Sequence, residues 1–118
     1  MLALSRRPGE RIFLGPIGDP LAVITLHTII VDSCAVCASF TVTGAHPLPQ
    51  SLRVGQWLQF DLCGVLLPAL TSRTVTIKLI EVRGNQARIG IDAAREIEIH
   101  REEVTHRIAA EMRSAGAL

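Results

Sequence analysis

Three cysteines and four histidines are the residues of this sequence that most readily bind metals or act as nucleophiles. The closest spacing is Cys34-Ala-Val-Cys37, which invites a redox or zinc interpretation. On a strand, however, those two side chains point to opposite faces. A structural zinc needs four ligands, and Cys63, His27 and His46 do not complete a recognisable spacing. We therefore expect small buried cysteines and no metal or other cofactor.

Carboxylates near the C-terminus are the next candidates for chemistry, at Glu96, Glu98, Glu102 and Glu103. They fall on a predicted strand and on the first turn of a predicted helix, where ion pairs and the helix dipole account for them. No Ser/His/Asp order and no Gly-rich phosphate loop accompanies them. The sequence therefore predicts a protein that is not an enzyme and has no small-molecule substrate.

Composition and charge set further bounds. The 118 residues suffice for one domain, and hydrophobic residues make up 48% while aromatic residues make up 3%. The net charge of +1 excludes nucleic-acid binding by bulk electrostatics, so any such binding requires a local, organised patch. The scarcity of aromatic residues argues against folds that stack bases on Phe or Tyr platforms.

The elements that would position such a patch are mainly strands. Alternating or β-branched runs between Gly, Pro and Asn turns predict strands at Met1–Arg7, Arg11–Leu14, Val23–Val31, Ala35–Val42, Gln56–Phe60, Val75–Val82, Ala87–Ile91 and Glu96–His100. The Pro-punctuated stretch 44–50 is expected to be irregular, and 62–70 has no clear periodicity. A C-terminal helix is predicted from the four-residue spacing of Val104, Ile108 and Met112.

The segment from Leu21 to Ala45 is apolar and contains no Lys or Arg, which raises the alternative of a membrane span. Asp32 and His27 interrupt it, and its β-branched residues favour two buried strands joined at Asp32-Ser33. With no signal-peptide pattern at the start and an odd number of cysteines, we expect a cytoplasmic protein without a membrane segment.

Two stretches at opposite ends of the chain resemble the CsrA/RsmA (carbon storage regulator) family. The first is Met-Leu-Ala-Leu-Ser-Arg-Arg-Pro-Gly-Glu at 1–10. The second is Gly-Asn-Gln-Ala-Arg-Ile-Gly at 84–90, followed by Glu-Ile-Glu-Ile-His-Arg-Glu-Glu-Val at 96–104. The resemblance covers residues 1–15 and 75–112. Ala3, Pro8 and Ala94 depart from common family choices.

The resemblance implies a short five-stranded protein with a C-terminal helix that forms an interlocked homodimer. Such proteins bind GGA-containing RNA, often at ribosome-binding sites, and thereby control translation. Each RNA site is formed by the first strand of one subunit beside the fifth strand of the other. Carried over residue by residue, the RNA-binding residues would be Leu4, Arg6 and Arg7 on the first strand and Ile97, Ile99 and Arg101 on the fifth. Guanidinium groups suit this role because they can fork onto phosphates or guanine edges.

Residues 16–74 have no counterpart in ordinary family members. They are either an insertion or part of a diverged internal duplication, and we favour the duplication. Arg7–Leu14 aligns without gaps with Arg53–Phe60, and Ile24–Val31 aligns with Val75–Val82 in a register that continues to Val42 against Ala93. The chain would then be one CsrA-like domain, residues 1–118, with a first diverged half at 1–47 and a second half at 48–118.

The two halves would have lost complementary parts. In the first, the fifth strand and helix would have collapsed into the Pro-rich stretch near Pro47 and Pro49. In the second, Gln50 stands where Leu4 would be and Leu52 where Arg6 would be, while Arg101 is kept. The duplication therefore predicts a single-chain pseudo-dimer with one intact RNA site, and the insertion predicts an ordinary homodimer.

We expect a post-transcriptional regulator that recognises GGA motifs in mRNA or small RNA and controls translation or mRNA stability. The alternative is a protein-interaction module that modulates other CsrA-type regulators through the apolar residues between Leu21 and Leu70. Burial of those residues within the chain would favour the RNA function.

Overall fold

A computed structural model of the chain describes residues 1–16, 20–31, 33, 35–43, 50–62, 72–104 and 107. Within these residues the chain forms nine strands: β1 (Leu2–Arg6), β2 (Arg11–Leu14), β3 (Ala22–Val31), β4 (Val36–Thr43), β5 (Gln50–Arg53), β6 (Trp57–Asp61), β7 (Thr74–Arg83), β8 (Gln86–Asp92) and β9 (Ile99–Arg101). A C-terminal helix, α1, begins at residue 102 and is described at residues 102–104 and 107. The predicted class, mainly β with one C-terminal helix, is confirmed.

The strands form two antiparallel sheets. One has four strands in the order β1-β8-β7-β6, and the other has five in the order β5-β4-β3-β2-β9. Alternate residues of both sheets point inward and form one core, whose largest fully buried side chains include Phe40, Ile24, Leu26, Ile77 and Ile89. The period-2 alternation in the sequence produces this arrangement because successive side chains of a strand face opposite sides.

The apolar segment that raised the membrane alternative is the hairpin of β3 and β4, as the two-strand interpretation predicted. Its inward residues lie in the core, and the hairpin connection at 32 and 34 lies outside the described residues. Among the described residues, no helix combines the length and the apolar character needed to cross a membrane.

Two strand predictions need correction. The strand expected at Glu96–His100 is only β9, Ile99–Arg101, because residues 95–97 form a turn in which the Ile97 N–H donates to the Ala94 carbonyl at 3.0 Å. The chain is also extended at β5, which the sequence reading had assigned to no strand, and β5 pairs with β4. Residues 44–49, 63–70 and 108–118, which include Ile108, Met112 and the Pro-rich stretch, lie outside the described residues.

The two sheets have matching strand orders. Exchanging β1–β4 for β5–β8 converts the order β1-β8-β7-β6 into β5-β4-β3-β2, and β9 extends only the second of these. Strands of the two halves of the chain also share each sheet, since β1 pairs with β8 and β9 pairs with β2. The halves are therefore interlocked.

Two turns have the same geometry. Gly9 and Gly55 adopt φ angles of 90° and 91°, and their N–H groups donate to the carbonyls of Leu26 and Leu79 at 2.7 and 2.8 Å. Positive φ favours glycine because a Cβ would crowd the backbone. These bonds make Leu26 equivalent to Leu79, whereas the sequence alignment pairs it with Ile77. The structural register thus differs by two residues, which keeps the same side chains in the core because strands repeat every two residues.

The same two turns also share a side-chain contact. The Arg7 N–H donates to Glu10 Oε1 at 2.6 Å, and the Arg53 N–H donates to Gln56 Oε1 at 2.9 Å. The first alignment of the sequence, Arg7–Leu14 with Arg53–Phe60, therefore agrees with the structural equivalence of these turns. The pattern Arg-x-Gly-acid/amide favours this turn for two reasons. The glycine at its third position adopts positive φ, and the side-chain oxygen at its fourth position accepts a hydrogen bond from the N–H of the first.

Candidate nucleic-acid interface

Two strands from opposite ends of the chain form neighbouring sheet edges. β1 is the edge strand of the four-stranded sheet and pairs with β8, while β9 is the edge strand of the five-stranded sheet and pairs with β2. An edge strand presents unpaired backbone N–H and C=O groups along its open side. These groups can bind an extended partner such as the unstacked bases of a single-stranded nucleic acid.

Arg6, at the end of β1, connects the two edges. Its Nη2 and Nη1 donate to Glu103 Oε1 and Oε2, in the first turn of α1 just after β9, at 2.6 and 3.0 Å. Nη1 also donates to the Arg11 carbonyl at 3.2 Å, and Nε donates to the Ser5 carbonyl at 2.9 Å. The Arg6 side chain is only 4% exposed. Such a bidentate geometry fixes both partners.

The pKa of Glu103 reflects this contact. The hydrogen bonds from Arg6 lower the pKa of the Glu103 carboxyl to about 2, with a smaller contribution from the charge of Arg101. The same hydrogen bonds raise the pKa of the Arg6 guanidinium. Both groups are therefore charged at neutral pH, and the carboxylate of Glu103 offsets the charge of a guanidinium that is almost fully removed from water.

A second ion pair ties α1 to β2. Arg11 Nη2 lies 2.7 Å from Glu102 Oε1, and the Arg11 guanidinium lies over the Phe13 ring at 5.2 Å from its centre. Consecutive acidic residues at the start of α1 thus reach two different strands, one in each sheet. The helix dipole favours both carboxylates in this first turn. The start of α1 is thereby fixed across the junction of the two sheets.

Arg7 and Arg101 are exposed at the same junction. Arg7 follows β1, where the turn containing Gly9 and Glu10 fixes its backbone. Arg101 ends β9 opposite Ile12 of β2, and its charge acts on Glu103. Two guanidinium groups therefore reach solvent beside the open edges of β1 and β9. Because Arg6 and Arg11 are paired with Glu103 and Glu102, Arg7 and Arg101 are the guanidinium groups that this junction offers to an anion.

The aliphatic site residues occupy different depths. Leu4 and Ile99 are partly buried and pack against the core from β1 and β9. Ile97 is 6% exposed, lies in the turn before β9 and belongs to the core. The expectation that Ile97 lies on the fifth strand is therefore wrong, because β9 begins at Ile99. Of the six predicted site residues, Arg7 and Arg101 have the most accessible side chains.

The sequence reading missed the residues that position the junction. Glu102 and Glu103 were explained only by general ion pairing and the helix dipole, and Arg11 only as part of a strand. The acidic pair after Arg101 was visible in the sequence, but its partners lie more than ninety residues away. Only the pairing of β9 with β2 brings them within reach.

His, Cys, Asp and Glu side chains are the groups that could bind a metal in the described part of the chain. No group of three or more His, Cys, Asp or Glu side chains there is arranged to hold a metal ion. Cys37 is a free, partly buried thiol on β4, while Cys34, Cys63 and His46 lie outside the described residues. The described junction thus presents cations and strand edges, which suit binding.

Residues 71–110 match the CsrA family, described as a global regulator protein family. The matched range contains β7, β8, β9 and the start of α1, including Arg101, Glu102 and Glu103. No solved structure matches the chain. This match, together with the mainly antiparallel β-fold and the C-terminal helix, supports membership of the CsrA/RsmA (carbon storage regulator) family, which comprises RNA-binding post-transcriptional regulators.

Proposed function

We propose that this protein binds GGA-containing mRNA or small RNA at the junction of β1 and β9 and thereby controls translation or mRNA stability. The observation that carries the proposal is the position of Arg7 and Arg101, two exposed guanidinium groups beside two open strand edges. Guanidinium groups recognise phosphates and the O6/N7 edge of guanine, and strand edges supply backbone donors and acceptors. Occlusion of a ribosome-binding site would need binding alone.

Arg6 takes a different role in this proposal. Its guanidinium is buried and holds Glu103, so it positions β1 against α1 and leaves phosphate contact to Arg7 and Arg101. Leu4 and Ile99 would line the floor between the two edges, where they are partly exposed. Ile97 would keep β9 in place from the core.

We further propose that the chain is a single-chain pseudo-dimer with one RNA site. Support comes from the exchangeable strand orders of the two sheets and from the matching turns at Gly9 and Gly55. At the opposite end of the molecule, Leu52 of β5 stands where β1 has Arg6, and Leu52 is buried. Within the described residues β6 pairs only with β7, and residues 44–49, where a counterpart of β9 would follow β4, lie outside them. A second site of the same kind would therefore lack its arginine.

Burial disfavours the protein-interaction alternative. Its basis is the apolar segment between Leu21 and Leu70, and most apolar residues of β3 and β4 lie in the core. In the described part of that segment, the exposed large apolar side chains are Ile30, Val31, Val54 and Trp57. Val31 and Val54 lie near the same end of the five-stranded sheet, since Val31 pairs with Val36 and the Val54 N–H donates to the Val36 carbonyl, while Trp57 lies on the four-stranded sheet. Most of the apolar side chains of β3 and β4 are thus already buried within the chain.

Native mass spectrometry of the chain with a short hairpin carrying GGA in its loop tests the proposal, with a GCA hairpin as control. We expect one chain to bind one GGA hairpin. Arg101→Ala and Arg7→Ala should each weaken binding about tenfold or more, because each removes a charge-assisted contact of about 1.5–3 kcal/mol. Arg53→Ala is the matched control, since Arg53 is the exposed counterpart of Arg7 at the opposite end, and it should leave the affinity unchanged.

Two chains carrying two hairpins would contradict the pseudo-dimer and leave RNA binding intact. Equal binding of the GGA and GCA hairpins would contradict the sequence preference. Loss of binding in Arg53→Ala to the same degree as in Arg101→Ala would contradict the assignment of the site to the β1/β9 junction.

A further inference from the structure

The outer face of the four-stranded sheet carries an open groove whose lining shares no residue with the ion pairs of the β1/β9 junction. Its volume is about 270 Å³, and the residues that line it are Met1, Trp57, Gln59, Thr76 and Lys78. Trp57 is 59% exposed and Met1 is 69% exposed. A large aromatic side chain left in solvent forgoes the stabilisation that burial would give it, so its exposure calls for an explanation.

The strand register explains how the groove forms. Trp57 of β6 lies opposite Lys78 of β7, Lys78 lies opposite Gly90 of β8, and Gly90 lies opposite Ala3 of β1. This row faces outward because the neighbouring positions on β6 and β7 face the core. A Cβ at Gly90 would overlap the side chain of Met1, so the glycine leaves the space that Met1 occupies.

Met1 and Trp57 therefore form two walls, and Lys78 and Thr76 form the floor between them. Adjacent strands lie about 4.8 Å apart, which puts the backbone of Trp57 roughly 10 Å from that of Gly90. This spacing leaves room for a flat ring to stack on the indole above the Lys78 side chain. Gln59 Nε2 donates to Thr76 Oγ1 at 3.2 Å, and this pair offers polar groups at the end of the groove.

The equivalent place on the five-stranded sheet has different residues. By the matching turns, Arg11 corresponds to Trp57 and Thr25 corresponds to Lys78, and these two are paired in the same way. Arg11 is held by Glu102 of α1 and lies over Phe13. In the described part of the chain, the four-stranded sheet therefore presents a tryptophan and a lysine where the five-stranded sheet has an ion-paired arginine and a threonine.

We propose that this groove is a second contact for single-stranded RNA, in which one base stacks on Trp57 and the Lys78 ammonium binds an adjoining phosphate. Base stacking on an exposed aromatic beside a cation is a common way to hold single-stranded nucleic acid without sequence preference. The lining residues favour RNA because the one charged side chain among them, Lys78, is positive. The inference rests on the proposed RNA function and extends it to nucleotides that flank the GGA segment.

The position of the row supports a continuous path. It ends on β1 at Ala3, which is three residues from Arg6, or about 10 Å along a strand. RNA that leaves the β1 edge would cross β8 and β7 to reach Trp57. A single-stranded flank of several nucleotides is therefore needed, and a hairpin that carries GGA alone would not reach the groove.

Trp57 is the single tryptophan of the chain, so its fluorescence reports on the groove directly. The full chain is titrated with a GGA hairpin that has, or lacks, a single-stranded flank on either side, and affinity is measured by anisotropy of labelled RNA. We expect a flank to tighten binding at least about fivefold and to quench Trp57 emission, in line with the contribution of one stacked base. The hairpin without a flank should cause little quenching.

Trp57→Leu should bind flanked and unflanked hairpins equally, and Lys78→Gln should lose part of the benefit of the flank. Val54→Ala is the matched control because Val54 is an exposed apolar residue of the preceding turn, outside the groove, and it should keep the full benefit. Equal affinity of the wild-type chain for both hairpins, without quenching, would overturn the proposal. Self-association of the chain in the absence of RNA, if Trp57→Leu abolished it, would also overturn the proposal, because the groove would then be a contact between protein chains.

A last arm separates this inference from the proposed function. If the wild-type chain shows no preference for GGA over GCA, the proposed function fails, and a single strand lacking GGA is then titrated against Trp57 emission. Quenching of Trp57 emission in the wild-type chain, with weaker quenching in Lys78→Gln, would still support RNA binding in the groove. Absence of quenching by that strand would overturn the groove as well.

Discussion

Three arginines of the β1/β9 junction have the same chemistry and different surroundings. Arg6 is buried and holds Glu103 with two hydrogen bonds, whereas Arg7 and Arg101 are exposed. A buried guanidinium is stable only with its hydrogen-bond partners in place, because desolvation of a charge is costly. Arg6 is therefore suited to a positioning role, and its neighbours to contact with a ligand.

Glu103→Gln should destabilise the fold by about 1–3 kcal/mol at neutral pH, because it leaves the buried Arg6 charge without its counter-charge. The exposure of the Glu103 side chain, 57%, keeps the effect below that of a fully buried pair. The pKa of Glu103 is lowered from its ordinary 4.5 to about 2, so the ion pair stabilises the fold fully above pH 4.5. The advantage of the wild-type chain should shrink as the pH falls from 4.5 to about 2.

Urea unfolding of both chains at several pH values measures this difference. Asp92→Asn, on the outer face of β8, is the control, and its difference from the wild-type chain should not shrink in the same way. A Glu103→Gln difference that stays constant down to pH 2 would show that the Arg6 pair does not contribute as argued.

At the scale of elements, the two Arg-x-Gly turns connect β1 to β2 and β5 to β6, and each leads the chain from one sheet into the other. Both glycines have a φ near 90°, and a Cβ added to either would meet nothing within 4 Å. A side chain at either position would therefore cost free energy only through the strained backbone conformation. It should be similar in the two turns because their hydrogen bonds are matched.

Gly9→Ala and Gly55→Ala should each lower the free energy of unfolding by about 1–2 kcal/mol, the usual penalty for a left-handed conformation with a Cβ. Chemical denaturation of each variant gives the value. Asparagine at the same positions should cost less, because it tolerates positive φ better than alanine. A large loss at one turn and none at the other would contradict the equivalence of the two turns.

At the scale of the whole molecule, the halves 1–47 and 48–118 do not form separate sheets. β1 completes a sheet of the second half, and β9 completes a sheet of the first half. One core spans both sheets. Neither half can bury its inward face without the other, and we therefore expect the chain to unfold as one unit.

Thermal unfolding should show one cooperative transition whose midpoint stays constant over about a hundredfold range of protein concentration, because a folded single chain has no association step. Calorimetry or circular dichroism across that range measures the midpoint. A midpoint that rises with concentration would indicate that two chains are needed for the fold, as the homodimer alternative predicts.

Local patterns in the sequence determined most of the strands of this protein. Period-2 alternation located β1, β2, β3, β4, β6, β7 and β8, and the Gly-Asn dipeptide located the tight turn between the last two, where Gly84 has a φ of 57°. These features depend on neighbouring residues, so they can be read without the fold. β5 was missed because it has only four residues, and the length of β9 was overestimated because alternation at Glu96–His100 continues through a turn.

The sequence by itself also determined which residues resemble the family site. The family match at 71–110 overlaps the C-terminal stretch of that resemblance, residues 75–112. Tertiary structure decided where those residues lie, and where Trp57 lies. Arg6 became a buried partner of Glu103, Ile97 became part of the core, and Trp57 stayed in solvent across from Lys78. These outcomes depend on pairings between strands far apart in the chain, whose register no local pattern encodes.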